Sequence, residues 1–365
     1  MEKRKEINDR LVQWILNKVR SEYADDVSLV LIYGSYINGT ANSKSDVDCY
    51  YIPKTEHGYH LAADFIIEGV GYDIFPISWE RVEHIADLLE SLTPLVGDVR
   101  IIYCSSADDA KRFQAMQDRL KNNLSNDAYV KKTAARRCEE AGRLCTMLNQ
   151  SHTVSETRKI AGNIIMILAD AIAVSHHDYY HFGLKKQFED LQNNFPDVPQ
   201  SIVNGYRKVI EAISMDDVVK YALKLYENVC EYLDVDYTVQ MIPGNKDFDA
   251  NKIDVNEVNA SWLASLYEEI CSTFNKIYVC CETGNSILAF LSAVCLQQEL
   301  DDAKEAGCPV YDLLGGYHYK ELHQFAETVR TIERDLVQLI THHGGHIKEY
   351  QSFEQFELAM LDSKR

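Results

Sequence analysis

Two short clusters near the start of the chain combine residue types suited to phosphate chemistry. Gly34-Ser35 ends an apolar run, Val27 to Tyr33, and Asp46-Val47-Asp48 follows after ten intervening residues. A second apolar run, Cys49 to Ile52, begins directly behind the acids, and Pro53 ends it. Residues two apart on a strand point to one face, so Asp46 and Asp48 are expected to aim two carboxylates at one spot. Two like charges so close need a counter-charge. Mg²⁺, a hard cation usually held by one or two carboxylates plus substrate phosphates, supplies one. Gly34 lets a phosphate approach the backbone closely, and Ser35 adds a hydroxyl donor. A phosphate turn beside carboxylate-held metal is the equipment of nucleotidyl transfer.

The elements that must position these groups are legible in the pattern. Ile7, Leu11, Trp14, Ile15 and Val19 fall at helical spacing and predict an amphipathic helix packed on a sheet. Apolar runs predict strands over about 28–33, 46–52, 65–68, 72–77 and 99–104, with a tight turn at Gly69-Val70-Gly71. Residues 36–45 read as a short helix or loop. Helices are expected over 79–89, with Ser78 as N-cap, and from about 106 to 124. Asp73, between Tyr72 and Ile74, is the candidate third acid; Glu68 on the neighbouring run competes for that place.

The Gly34-Ser35 turn, the ten-residue spacing, Asp46-x-Asp48 and a later strand acid together resemble the signature of the DNA polymerase beta-like nucleotidyltransferase superfamily. The likeness covers roughly the first third of the chain. It implies a mixed, largely antiparallel sheet in a nucleotidyltransferase domain over residues 1–122. It implies Asp46, Asp48 and Asp73 as catalytic acids and Mg²⁺ ligands, with Asp73 either ligating metal or taking the acceptor proton. The Gly34-Ser35 turn would bind the β- and γ-phosphates of an NTP, ATP by expectation.

Beyond Ser125 the pattern is helical with no further strand, so the fold class is α+β, a mixed sheet followed by a helical bundle. A bundle domain is expected over 123–237, and a helical region of unknown role over 238–365. The stretch Thr157 to Ala173 is apolar nearly all round and belongs at a bundle's centre. Thr238 to Asn251, with Pro243 and Gly244, reads as a linker. In the resembling family such a bundle covers the nucleotide and supplies the acceptor site. Lys185 and Lys186 are candidates to meet the triphosphate, with Arg158 and Lys159 behind them. Glu139, Glu140 and Glu156 are candidate acceptor-side acids. The histidines at 176, 177 and 181, and at 342, 343 and 346, lack the spacing of a metal module.

Composition narrows the partners. The 365 residues carry a formal net charge of −19, which argues against a long nucleic-acid partner. Ten scattered cysteines without a C-x-x-C pair read as reduced thiols, and the mixed-charge N-terminus does not read as a signal peptide. No apolar run approaches a membrane span, so a cytoplasmic protein without a membrane partner is expected. The acidic balance and sheet-plus-bundle layout are similar to aminoglycoside and lincosamide nucleotidyltransferases, which implies a small-molecule acceptor. Protein nucleotidylation, oligonucleotide synthesis and a non-catalytic, antitoxin-like binding module are the alternatives.

Overall fold

A computed structural model describes residues 2–42, 44–195, 197–236 and 258–362. The linker expected over 238–251 lies outside the described residues. The fold is α+β with a six-stranded mixed sheet. Contacts group the chain into two compact units. The first unit takes residues 1–123, 260–275 and 340–365; the second takes 124–259 and 276–339. The described residues of 238–365 are thus divided between the two units.

The first unit holds the sheet. Helix α1 (Glu2–Glu22) precedes strand β1 (Val27–Tyr33), and a single turn, α2 (Ser35–Asn38), leads toward β2 (Asp48–Pro53). Strands β3 (Ala63–Ile67) and β4 (Val70–Pro76) follow, then α3 (Trp79–Ala86), α4 (Pro94–Gly97), β5 (Arg100–Cys104) and α5 (Ala107–Leu124). Ser78 caps α3, its side chain accepting from the Arg81 N–H. Strand order is β5-β1-β2-β4-β3, with β2 and β4 parallel and the other neighbours antiparallel. The apolar run predicted β1 because nearly every residue in it is buried, whichever face it points to. Ile7, Leu11, Ile15 and Val19 of α1 join Val30, Ile32, Tyr51 and Phe65 in one buried cluster, as their spacing requires. Between β3 and β4, Glu68 and Gly69 both have positive φ, 51° and 69°, the two-residue geometry that matches strand twist in a hairpin.

A sixth strand corrects the expectation that none follows Ser125. β6 (Glu349–Tyr350) pairs parallel with β3, Ile66 against Glu349. Two residues are too few to show a period of two, so the pattern concealed it. Helix α14 (Phe353–Asp362) follows, and its Phe353 and Phe356 enter the sheet's core cluster. Phe356 stacks on Phe65 with ring centroids 4.5 Å apart and meets Trp14 edge-on at 4.9 Å.

The second unit is helical. It comprises α6 (Asp127–Leu148), α7 (Val154–Ser175), α8 (Gln187–Asn193), α9 (Gln200–Glu211), α10 (Met215–Tyr232), α12 (Ser286–Asp302) and most of α13 (Leu322–His342). Helix α11 (Ala260–Thr283) contributes its last residues here and its first to the sheet unit. α7 packs against α6, α9, α10 and α12, the central position its all-round apolarity predicts. Among the described residues no helix is long and apolar enough to cross a membrane.

Candidate functional site

The glycine at position 34 is forced by its surroundings. Gly34 has φ 70° and ψ −151°, a region essentially restricted to glycine. It follows Tyr33, the last residue of β1, which pairs with Asp48, the first of β2. A Cβ on Gly34 would lie 2.0 Å from Asp48 Oδ2 and 2.8 Å from its Cγ. The bare backbone of the turn is thus packed directly against the carboxylate. The chain then closes α2 at once, with the Ile37 and Asn38 N–H groups donating to the Gly34 carbonyl at 3.3 and 3.2 Å. The Tyr36 hydroxyl donates to Asp9 of α1, tying the turn to the helix behind it.

Asp46 does not lie on a strand. β2 begins at Asp48, because pairing with β1 stops where Gly34 turns away. The in-and-out alternation survives across the gap: Val47 is buried while Asp46 and Asp48 are half-exposed. The loop before Asp48 is held instead by side chains. Asn8 Nδ2 donates to the carbonyls of Ser45 and Asp46, each at 3.2 Å. Asn42 shapes the preceding turn, its side-chain oxygen accepting from the Lys44 N–H at 2.8 Å.

Asp73 sits on β4 opposite Asp64 of β3. Burial pushes the Asp73 carboxyl up to about 9, reinforced by the Asp64 charge, a hydrogen bond with Asp64, and the charges of Glu269 and Asp46. Asp64 is also raised, chiefly by burial, while its bond with Asp73 and the nearby Lys348 ammonium oppose the shift. A proton shared between two facing carboxyls is the expected result. Tyr33 registers all three predicted acids: burial raises its hydroxyl well above its usual value, and the charges of Asp48, Asp46 and Asp73 add to it. The charges of Asp46, Asp48 and Asp73 are thus all felt at Tyr33, the residue before the Gly34-Ser35 turn. A scan against protein-family models finds no match, and a search of curated proteins finds none either.

Asp64 and Glu269 were not among the sequence candidates. Asp64 was within reach, since a two-residue turn at 68–69 sets it opposite Asp73 in the register. Glu269 lies on α11, and no local pattern connects it to β4. The rival acid Glu68 is occupied at the hairpin turn, 2.8 Å from Lys3 Nζ and 3.9 Å from Arg4 Nη2. Lys348 is set at the sheet edge by Glu268, which is 1% exposed: Glu268 accepts from the Lys348 N–H at 2.6 Å and meets its Nζ at 3.0 Å. The same Nζ donates to the Asp64 carbonyl at 3.3 Å.

The helical-unit candidates have local work. Lys185 ends a 3₁₀ turn, Gly183–Lys185, and Lys186 lies over the Phe182 ring at 4.7 Å. Arg158 is buried and donates to the carbonyls of Leu314 and Tyr317 at 2.7 and 2.9 Å. Lys159 pairs with Asp301. Glu156 accepts from the His152 N–H at 2.9 Å, and Thr153 accepts from the Glu156 N–H, a capping arrangement at the start of α7. Glu140 lies 3.5 Å from Arg137, which is itself paired with Asp170.

The donor chemistry at the acids suits Mg²⁺: several hard carboxylate oxygens, one of them against a bare glycine backbone. The acids stand open, not closed into a cage. Among the described residues no group of three or more His, Cys, Asp or Glu is gathered tightly enough to hold a metal. The fit is therefore one of donor type only.

Proposed function

We propose that the chain is a Mg²⁺-dependent nucleotidyltransferase of the DNA polymerase beta-like kind. It moves a nucleoside monophosphate from an NTP, ATP by expectation, to a hydroxyl of a small molecule and releases pyrophosphate. The observation that carries this reading is the contact between the Gly34 backbone and the Asp48 carboxylate. It couples a phosphate-accepting turn to an acid in a geometry that only glycine permits.

In this reading Asp46 and Asp48 hold the cation, with Asp73 third. When bound, the ion would neutralise charge on the phosphates and stabilise attacking and leaving oxygens. Gly34 and Ser35 present backbone and hydroxyl to the β- and γ-phosphates. Asp73 and Asp64 keep a proton between them at neutral pH in the metal-free chain, so the site does not carry its full negative charge before substrate arrives. Lys185 and Lys186 remain candidate triphosphate contacts. The acidic chain, at −19, favours a small and cationic acceptor over a nucleic acid.

Incubation with labelled ATP, Mg²⁺ and a panel of aminoglycosides and lincosamides tests the proposal. Label transferred to a small molecule by the wild type, and lost in Asp48→Asn, is the expected result. Label on protein, or an oligonucleotide formed without acceptor, would replace the acceptor assignment. No Asp48-dependent product of any kind would overturn the reading.

A further inference from the structure

The face of α1 turned to the sheet is apolar except at its start. Arg4 is 9% exposed and Asn8 2% exposed. They meet the hydroxyl of Tyr72, itself 1% exposed, in a connected chain of hydrogen bonds. Arg4 Nη1 donates to the Tyr72 hydroxyl at 3.1 Å and to the Ile67 carbonyl at 3.3 Å. The Tyr72 hydroxyl donates to Asn8 Oδ1 at 2.7 Å. Asn8 Nδ2 donates to the carbonyls of Ser45 and Asp46 at 3.2 Å each.

The direction of this relay is fixed by chemistry. A guanidinium can only donate, so the Tyr72 oxygen accepts from Arg4 and its single proton goes to Asn8. That makes the facing Asn8 atom the oxygen and turns its NH₂ toward the loop. A buried amide donating to two consecutive carbonyls is a costly way to fill core space, and an apolar residue would do it more cheaply. Its placement has a specific effect: the carbonyls belong to Asp46 and to the residue before it, in a stretch that no strand pairing holds.

We propose that Asn8 is a positioning residue that fixes the backbone carrying the Asp46 carboxylate through the Arg4–Tyr72–Asn8 relay. The role rests on the reading above that Asp46 acts on a cation. Outer contacts of this kind typically change metal affinity by about 10–100-fold. Asn8→Asp keeps the acceptor for Tyr72 but sets an oxygen against two carbonyl oxygens. Tyr72→Phe removes one hydroxyl and keeps the ring; it serves as the milder second variant where Asn8→Asp folds poorly.

Two measurements on the full chain decide the matter. Hydrogen exchange of residues 44–48 should accelerate about tenfold or more in the variants, the equivalent of one buried bond lost, while residues 11–19 of α1 change little. Unchanged exchange at 44–48, or a rise no larger than elsewhere in the unit, would overturn the proposal. Calorimetric titration with Mn²⁺ should give binding in the wild type that falls at least about tenfold in Asn8→Asp. A fall in melting temperature with Mn²⁺ affinity intact would reduce Asn8 to a structural role and also overturn it. Should Asp46→Asn bind Mn²⁺ like the wild type, the cation reading fails separately, and the exchange data still decide whether Asn8 fixes the loop.

Discussion

Gly34→Ala isolates the contact on which the functional reading rests. Alanine at φ 70° and ψ −151° enters a region essentially closed to side chains, at a cost of about 1–3 kcal/mol. Its Cβ would also stand 2.0 Å from Asp48 Oδ2 and 2.8 Å from Cγ, and relieving such overpacking costs a further ~1–3 kcal/mol. The sum corresponds to a drop in melting temperature on the order of 10 °C for a unit of this size. The two parts separate in a double-mutant cycle. Asp48→Ala deletes Oδ2 and Cγ and leaves Cβ at 3.4 Å, an ordinary contact. In that background the steric part vanishes and only the backbone part remains. Urea unfolding of the four proteins should therefore show Gly34→Ala costing at least about 1 kcal/mol less when Asp48 is already alanine. Equal cost in both backgrounds would mean that Gly34 and Asp48 are not in contact, and the proposed pairing of turn and acid would fall with it.

Two further predictions concern the same unit. In chelator, with no divalent ion, Asp73 carries a raised pKa of about 9, so between roughly 4 and 9 the folded chain binds a proton that the unfolded chain has released. This contribution to stability is complete at acid pH and declines as pH rises; the melting temperature of wild type should fall more steeply from pH 5 to 9 than that of Asp73→Asn. Phe356→Ala removes a fully buried ring from between Trp14 and Phe65 and should destabilise the sheet unit by about 3–5 kcal/mol, read as an earlier urea midpoint by tryptophan fluorescence.

The parts of the fold legible in sequence were those set by local periodicity. β1 showed itself because both its faces are covered, and α7 because it is apolar all round. The acid pair Asp46 and Asp48 was legible as residues but not as geometry. A strand was expected through both, whereas the loop at Asp46 is shaped by Asn8, 38 positions away. Asp64 could have been read, because a two-residue turn dictates a register in which it faces Asp73. Glu269 and Lys348 could not. Lys348 reaches Asp64 across 284 residues, and its neighbours Glu349 and Tyr350 form a strand too short to alternate.

That late contribution has a physical logic. Without it β3 would be an edge strand, offering open N–H groups to any passing chain, next to a pair of carboxyls that already resist being close. β6 closes the edge: Ile66 and Glu68 donate to the carbonyls of Lys348 and Tyr350 at 2.8 and 2.9 Å. These bonds lie at the β3 end of the hairpin turn and fix the strand that carries Asp64. The same short segment sets an ammonium against the Asp64 carbonyl, where it opposes the rise of the Asp64 carboxyl. Buried Glu268 in turn holds that ammonium from α11, one position before Glu269, whose charge raises Asp73. Two adjacent acids on one helix thus act in opposite senses, one anchoring the cation that tempers the pair and the other adding to its charge. Burial raises both Asp73 and Asp64, the Asp64 charge adds to the rise of Asp73, and residues from the chain's final third, Glu269 and Lys348, adjust these shifts in opposite directions.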